Sequence, residues 1–213
     1  MIYILTYDHP HRKTQDLVFR LMYNIADRLV LVTIPWENRK NHVPLYSTKL
    51  PPTNVWPQWY GLEAQSLQEI PPGSIVVIGG AGILPSDFVK NNTVINSHCG
   101  WLPEVRGLDA LKWAIYYDQP IGCTTHIVDA ECDKGLMIER KEVELKPTDS
   151  LFSIAMKQYE LEINMLVDCV IHKKWRDAKP FVEPANESNR RMKHATELQM
   201  MKRLDDRLVG LNV

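Results

Sequence analysis

Apolar runs alternate with helix-period stripes along this chain, and that alternation restricts the folds it can adopt. The runs from Ile2 to Thr6, Leu29 to Ile34 and Ser74 to Ile78 are typical of buried strands. Between the first two, residues 17 to 29 carry leucine or isoleucine at every fourth position, which predicts a helix. Strands that alternate with helices form βαβ units. The sequence therefore predicts an α/β fold with a mostly parallel sheet covered by helices on both faces.

The middle of the chain continues the same pattern. A strand is predicted from Thr93 to Asn96, a helix from Asp109 to Tyr117, and strands at Gly122 to Asp129 and Leu136 to Leu145. A longer helix begins near Ser150. Its buried stripe comprises Leu151, Ile154, Ala155, Tyr159, Ile163, Leu166, Val167 and Val170.

Three segments have a different character. Residues 35 to 59 carry five prolines and three tryptophans without periodicity, which predicts a long surface excursion. The stretch from Leu62 to Ile70 looks like a short helix ended by prolines. After Lys173 the pattern fades, except for an amphipathic helix from Glu197 to Leu208. We expect one domain over residues 1–180 and a tail over 181–213, whose helix packs on the core or mediates dimerisation.

Composition excludes several classes of protein. The formal net charge is -1, so no overall field favours nucleic acid or acidic lipid. No stretch approaches the roughly 20 apolar residues that a membrane span requires, and the N-terminus reads as a strand, not as a signal peptide. The cysteines, Cys99, Cys123, Cys132 and Cys169, lack zinc-site spacing. We expect a cytoplasmic protein without a metal.

Polar residues follow the strand that starts at Thr93. Asn96 and His98 end it, a glycine-bracketed turn comes next, and an acidic residue, Asp133, lies downstream. In open α/β sheets, ligands bind beyond the carboxyl ends of the strands. An amide, an imidazole and a carboxylate there suit a reaction that builds an oxyanion and then moves protons. His126, inside an alternating strand, is expected to pack beneath this site without touching substrate.

The glycine-rich stretch at residues 79–82 has two explanations. It is not a dinucleotide fingerprint, because no third glycine stands near Pro85 and no glycine follows the first strand. Small residues there would let a flat ring approach the backbone. The other explanation is a tight turn that requires positive φ.

Three linked motifs carry a family resemblance over roughly residues 74–172. Asn96 to Gly107 matches N-x-H-x-x-x-L-P-x-x-R-G, Thr124 to Val128 matches T-x-H-x-V, and Asp133 to Gly135 matches D-x-G. Together these residues resemble the folate-dependent formyltransferases, which act on glycinamide ribonucleotide, methionyl-tRNA or amino sugars. The resemblance implies a Rossmann-like formyltransferase core.

The resemblance also implies a donor, 10-formyltetrahydrofolate, and a reaction without metal. Asn96 and His98 would stabilise the tetrahedral oxyanion, and Asp133 would orient His98 and carry the proton from the attacking amine. The hydroxyl of Thr124 would assist the same site. The pterin would lie against the residues of two loops, namely Gly82, Ile83, Leu84, Asp129, Ala130, Cys132 and Asp133.

An amino sugar is the acceptor that the resemblance favours. His11, Arg12 and Lys13 would face an acidic sugar or a nucleotide phosphate, and Arg106 and Gly107 would also contact the acceptor. A nonulosonic acid of the pseudaminic type is one such acceptor, and the expected partner is thus a small molecule. The tRNA enzymes carry an additional C-terminal domain that is not expected here.

Other activities stay open as alternatives. Glycinamide ribonucleotide enzymes hold phosphate in a glycine-rich first loop, whereas residues 7–14 contain no glycine. A deformylase, which hydrolyses the same donor, is another alternative. The third is a non-catalytic module that binds folate or sugar.

Overall fold

A mixed β-sheet with helices on both faces forms the centre of this chain. The computed structural model describes residues 1–36, 43–50, 53, 62, 64–129, 135–182 and 186–212. The strands are β1 (Ile2–Tyr7), β2 (Leu29–Ile34), β3 (Ala64–Gln65), β4 (Ile75–Ile78), β5 (Thr93–His98), β6 (Arg106–Gly107), β7 (Gly122–Ile127), β8 (Leu136–Glu142), β9 (Lys179–Pro180) and β10 (Ser188–Asn189). The helices are α1 (Arg12–Met22), α2 (Ser86–Asn91), α3 (Ala110–Tyr116), α4 (Leu151–Ile171) and α5 (His194–Val209), with short 3₁₀ helices at Leu67–Glu69, Lys174–Asp177 and Gly210–Asn212.

The main sheet, counted over the described residues, has eight strands in the order β3-β2-β1-β4-β5-β7-β8-β9. The five from β3 to β5 are parallel, which confirms the α/β fold class. The three strands β7, β8 and β9 each run antiparallel to their inner neighbour. Residues 128–135, which join β7 to β8, are too few for a parallel crossover. They therefore permit only an antiparallel return.

The sheet buries a different cluster of apolar side chains on each face. Helices α1 and α4 cover one face, where Leu17, Leu21, Ile163 and Leu166 pack against strand residues that include Ile95. The other face, which holds Tyr3, Leu5, Val30, Val76 and Val94, is covered by α2 and the 3₁₀ helix at Leu67–Glu69. Alternate residues of one strand therefore face opposite layers. This alternation decides which strand-end side chains reach the same cavity.

The predicted helix at residues 62–70 is wrong. Ala64–Gln65 forms strand β3, paired parallel with β2, and Leu67–Glu69 forms a 3₁₀ turn. The Ser66 backbone and hydroxyl both donate to the Glu69 carboxylate, at 2.7 and 2.6 Å, which closes a capping box. The prolines after Ile70 prevent continuation of the helix. Of the predicted excursion, residues 37–42, 51–52 and 54–59 lie outside the described residues.

The C-terminal helix α5 packs on the core. Its buried residues Met200, Leu204 and Leu208 join an apolar cluster with residues of α3 and α4. A buried ion pair, Lys112 to Glu197 at 2.5 Å, ties α3 to α5. Of the two roles expected for the helix of the tail, the structure shows packing on the core. Dimerisation stays a prediction.

Candidate active site

Strand β5 delivers Asn96 and His98 to the carboxyl edge of the sheet. The strand extends two residues beyond its predicted end, so that His98 is its last residue. In the antiparallel register, Asn96 lies opposite His126, and His98 lies opposite Thr124. Paired residues project from the same face of a sheet. The four predicted residues of this strand pair are therefore brought together, with His126 and Thr124 fully buried.

The turn after β5 holds the imidazole of His98. The Nε2 atom lies 3.2 Å from the carbonyl oxygen of Val105. A Cβ on Gly100 would come within 2.7 Å of that ring, so this position requires glycine. The hydroxyl of Thr124 donates to the Gly100 carbonyl at 2.8 Å and accepts from the Leu102 backbone N–H at 3.0 Å. Thr124 thereby fixes the turn from below.

Two cavities meet at this strand end. The first, of about 280 Å³, is lined by Asn96, residues 79–84, Val128 and Asp129. The second, of about 730 Å³, is lined by His98 and by residues of α1, α3 and α4. Tyr7, His11 and Lys13 line both cavities. The two candidate catalytic side chains therefore lie at two adjoining binding spaces.

The glycines of the first cavity are required by space, not by backbone angle. Gly79 and Gly80 keep φ outside the left-handed region, so the positive-φ explanation does not hold for these two. A Cβ on Gly80 would lie 2.8 Å from the Tyr7 ring and 2.9 Å from the His11 ring. The Tyr7 hydroxyl also donates to the Ala81 carbonyl at 2.7 Å. Gly82, Ile83 and Leu84 line the same cavity, and their role in holding the donor stays a prediction.

An aromatic group borders the second cavity, and the sequence analysis missed it. Tyr7 stacks on His9 at 5.5 Å and meets Trp36 edge-on at 4.7 Å, between ring centroids. Trp36 is 50% exposed. Burial, followed by the charges of Lys13 and His9, lowers the pKa of His11 to about 4, so His11 is neutral at pH 7. In the sequence, the only indication that these aromatic residues belong to the site is that they lie at the ends of predicted strands.

The basic residues predicted to bind the acceptor have separate environments. Arg12 pairs with Asp16 at 3.2 Å and lines the second cavity. Lys13 is 15% exposed and pairs with Glu162 at 2.5 Å. Gly107 lines the second cavity with φ +87°. Arg106 is buried, donates to the Asn186 carbonyl at 2.8 Å and is not brought to either cavity.

Two polar residues of α4, which the sequence analysis omitted, line the second cavity. Gln158 and Glu162 are spaced four apart on the buried face of the helix. The Cys99 thiol donates to Glu162 Oε2 at 2.9 Å. A hydrogen bond with Cys123, burial and the Glu162 charge raise the pKa of Cys99, so the thiol stays protonated. Gln158 and Glu162 are both polar residues on the otherwise apolar stripe of a helix, and this break in the pattern could have indicated them from the sequence.

The loop that the sequence assigns to Asp133 is only partly described. Asp129 lines the first cavity. Ala130, Cys132 and Asp133 lie outside the described residues, so their roles stay predictions. No metal-binding cluster of His, Cys, Asp and Glu occurs within the described residues. In that same part of the chain, every helix is too short or too polar to cross a bilayer.

The fold and the site define an α/β protein with two cavities at the carboxyl edge of its sheet, and comparisons identify its family. The sequence profile described as "Formyl transferase" matches residues 61–170, and the chain belongs to that family. A methionyl-tRNA formyltransferase of Koribacter versatilis (strain Ellin345) is 33% identical over 105 residues, 48% of this chain and 34% of that protein. The matched segment therefore spans about a third of such curated relatives.

Solved structures share the fold over nearly the whole chain. A sugar N-formyltransferase from Shewanella sp. FDAARGOS_354 aligns with a TM-score of 0.64 and 18% identity, covering 95% of this chain and 87% of that one. An N-formyltransferase from Helicobacter canadensis, in complex with folinic acid and dTDP-3-aminofucose, aligns with a TM-score of 0.65 and 12% identity. That alignment covers 96% of this chain and 80% of the other. At these identities the likeness shows the shared formyltransferase core fold.

Proposed function

We propose that this chain transfers a formyl group from 10-formyltetrahydrofolate to the primary amine of an amino sugar. The acceptor is either nucleotide-linked or a nonulosonic acid of the pseudaminic type. The observation that carries the proposal is the placement of Asn96 and His98 at two adjoining cavities. A transfer between two molecules requires two binding spaces that meet at the reacting groups. Membership of the formyl transferase family supports the chemistry.

In the proposed reaction, the neutral amine attacks the formyl carbon from the second cavity. A carbon–nitrogen bond forms to the acceptor, the bond from the formyl carbon to folate N10 breaks, and one proton passes from the amine to N10. The Asn96 amide donates a hydrogen bond to the formyl oxygen as it becomes an oxyanion, and the His98 imidazole donates a second one through Nδ1 once that nitrogen carries a proton. Asp133 orients His98 and carries the proton, an assignment that rests on the sequence motif.

The first cavity suits the flat donor ring. Glycine and alanine at residues 79–82 carry no bulky side chain, so a flat ring can approach the backbone there, and Val128 supplies an apolar edge. The residues present therefore fit a pterin, which would pair with main-chain groups and pack on Ile83 and Leu84. Ile83 is 84% exposed, so its side chain is available to a ligand.

The second cavity supports a sugar acceptor. It is lined by aromatic rings, among them Tyr7, His9 and Trp36, together with the exposed cation of Lys49. Ring faces pack on the C–H faces of sugars, and cations bind carboxylate or phosphate. The first loop lacks the glycines with which purine-pathway enzymes hold phosphate. These features favour a sugar over glycinamide ribonucleotide.

The test is a formyl transfer assay with a panel of acceptors. Purified chain and 10-formyltetrahydrofolate are incubated with nucleoside-diphosphate amino sugars, free amino sugars or glycinamide ribonucleotide, and products are analysed by mass spectrometry. We expect donor consumption only with an amino sugar, which gains one formyl group. Consumption without acceptor would indicate a deformylase, formylation of glycinamide ribonucleotide alone a purine enzyme, and no consumption a binding module. The His98→Ala variant serves as the inactive control.

A further inference from the structure

A buried ion pair lies directly beneath the strand end that carries His98. Lys13 of α1 and Glu162 of α4 approach to 2.5 Å, with side chains 15% and 7% exposed. The Lys13 ammonium also lies 3.4 Å from the carbonyl oxygen of Ser97, to which it donates. Ser97 stands between Asn96 and His98. One cation therefore contacts the backbone that links the two candidate catalytic side chains.

Helix α4 holds the other side of His98. Glu162 uses its second carboxylate oxygen to accept from the Cys99 thiol at 2.9 Å. One helical turn earlier, Gln158 donates to the carbonyls of Cys99 and Gly122, at 3.3 and 2.9 Å. Ser97, before His98, is thus attached to α1, and Cys99, after it, is attached to α4. We call Lys13, Glu162 and Gln158 the clamp.

Stability alone gives little reason for a buried ion pair at this place. Desolvation of two charges commonly cancels their attraction, and apolar residues of similar size often replace such pairs without loss of stability. Here burial opposes the charge of Lys13, but its attraction to Glu162 prevails and raises the pKa of Lys13. Lys13 therefore stays protonated, with its ammonium group directed at the Glu162 carboxylate. Among the described residues, Lys13 donates one hydrogen bond to Glu162 and a second one to the backbone carbonyl of Ser97.

We propose that Lys13 and Glu162 are positioning residues that hold the backbone of residues 97–99, so that Asn96 and His98 present their donors at the two cavities. The inference rests on the proposed function and changes the role expected for Lys13, from acceptor contact to support of the catalytic strand end. Donors aimed at a developing oxyanion lose their effect when displaced by about 1 Å. A clamp from two helices provides that precision.

The chain offers a matched control for the test. Arg20 and Glu160 form a second α1–α4 ion pair, at 2.7 Å, but their side chains are 33% and 50% exposed and line neither of the two cavities. The double variant Lys13→Met/Glu162→Met is compared with Arg20→Met/Glu160→Met in transfer kinetics and thermal melting. We expect the first to fold and to lose on the order of 10²-fold in kcat, with KM for donor and acceptor within about threefold of wild type. The control and Lys13→Arg should keep at least about a third of wild-type kcat.

A folded Lys13→Met/Glu162→Met variant with wild-type kcat would overturn the inference. If that variant does not fold, Glu162→Gln replaces it, because glutamine keeps the shape but removes the charge, and its single amide oxygen cannot accept from both Lys13 and the Cys99 thiol. We then expect a loss of at least about tenfold in kcat, and an unchanged kcat would equally overturn the inference.

Imidazole NMR separates failure of the clamp from failure of the proposed function. The His98 signal is assigned by its loss in His98→Ala. If the wild-type chain transfers no formyl group, the proposed function fails, but the clamp is still tested by this signal. We expect it to shift and broaden in the clamp variant and to stay unchanged in the surface-pair control. An identical His98 signal in all three proteins would refute the clamp.

Discussion

The orientation of His98 depends on its immediate neighbours. The Val105 carbonyl lies 3.2 Å from Nε2, and Gly100 leaves room for the ring only because it has no side chain. Beneath them, Thr124 satisfies two backbone groups of the same turn. The imidazole is thus aimed before any ligand arrives. Preorganisation of this kind makes a hydrogen-bond donor effective toward a developing charge.

Removal of either donor should abolish most turnover without unfolding the chain. We expect Asn96→Ala and His98→Ala each to lower kcat by at least about a hundredfold, because each removes one preorganised donor to the oxyanion. Both residues are only half-buried, so thermal melting should change little. Steady-state kinetics with circular dichroism melts measures both quantities. A variant with wild-type kcat would exclude that residue from the mechanism. Asp133→Asn is expected, from the motif, to have the same effect.

His11 should make the free energy of unfolding depend on pH. Its pKa is lowered from 6.5 to about 4 in the folded chain, chiefly by burial, so the unfolded chain binds the proton more strongly. Its stabilising contribution is therefore complete above about pH 7 and lost as pH falls from 6.5 to 4. Between those limits wild type should lose about 2–3 kcal/mol more than His11→Asn. Urea unfolding at both pH values measures the difference, and equal losses would refute the assignment.

Regular elements could be predicted where local pattern and burial agree. Strand β4 is apolar throughout because parallel strands are covered on both faces. Helix α4 begins at Ser150, and serine is a preferred N-cap residue that can be recognised in the sequence. The strand β3 could not be found, because two residues have no periodicity and exist as a strand only through pairing with β2. The antiparallel return from β7 to β8 follows from its short connection, but the antiparallel pairing of β5 with β7 and of β8 with β9 depends on how segments that are more distant in sequence meet.

The attachment of α5 to α3 should depend on one buried ion pair. Glu197 is fully buried, accepts from Lys112 at 2.5 Å and from the Leu45 backbone at 2.8 Å. Burial disfavours its charge, but these partners prevail and lower the pKa of Glu197. Glu197→Ala would leave the Lys112 ammonium buried without its partner, and should cost roughly 3–5 kcal/mol in the free energy of unfolding.

Asp118→Ala is the matched control for that measurement. Asp118 also pairs with α5, through Arg207 at 3.7 Å, but it is 84% exposed. Exposed pairs contribute about 0–1 kcal/mol. Denaturant unfolding of both variants should therefore separate them clearly. A similar small loss in both would mean that apolar packing alone holds α5 in place.

At the scale of the whole molecule, the site is assembled from segments that are distant in sequence. The ends of β1, β4 and β5 converge with α4 because the parallel order places neighbouring carboxyl ends at one edge. Asn96 and His98 were predictable, since one short motif carries both. Trp36 and Glu162 have weaker signals, namely a strand end and a polar residue in an apolar stripe, and their meeting at the site depends on how β2 and α4 are placed against β5.

The complete reaction should show a pH dependence set by the acceptor. Only the neutral amine can attack the formyl carbon, so below the amine pKa (about 8 for an amine with electron-withdrawing neighbours, as in an α-amino group) kcat/KM should rise about tenfold per pH unit and then level off. Two acceptors whose amines differ in pKa should give profiles displaced by that difference. The range from about pH 6.5 to 9 avoids the stability loss expected from His11. Because the displacement follows the substrate, it distinguishes attack by the free amine from titration of an enzyme group. Profiles that are flat, or that coincide for the two acceptors, would rule out direct attack by the neutral amine.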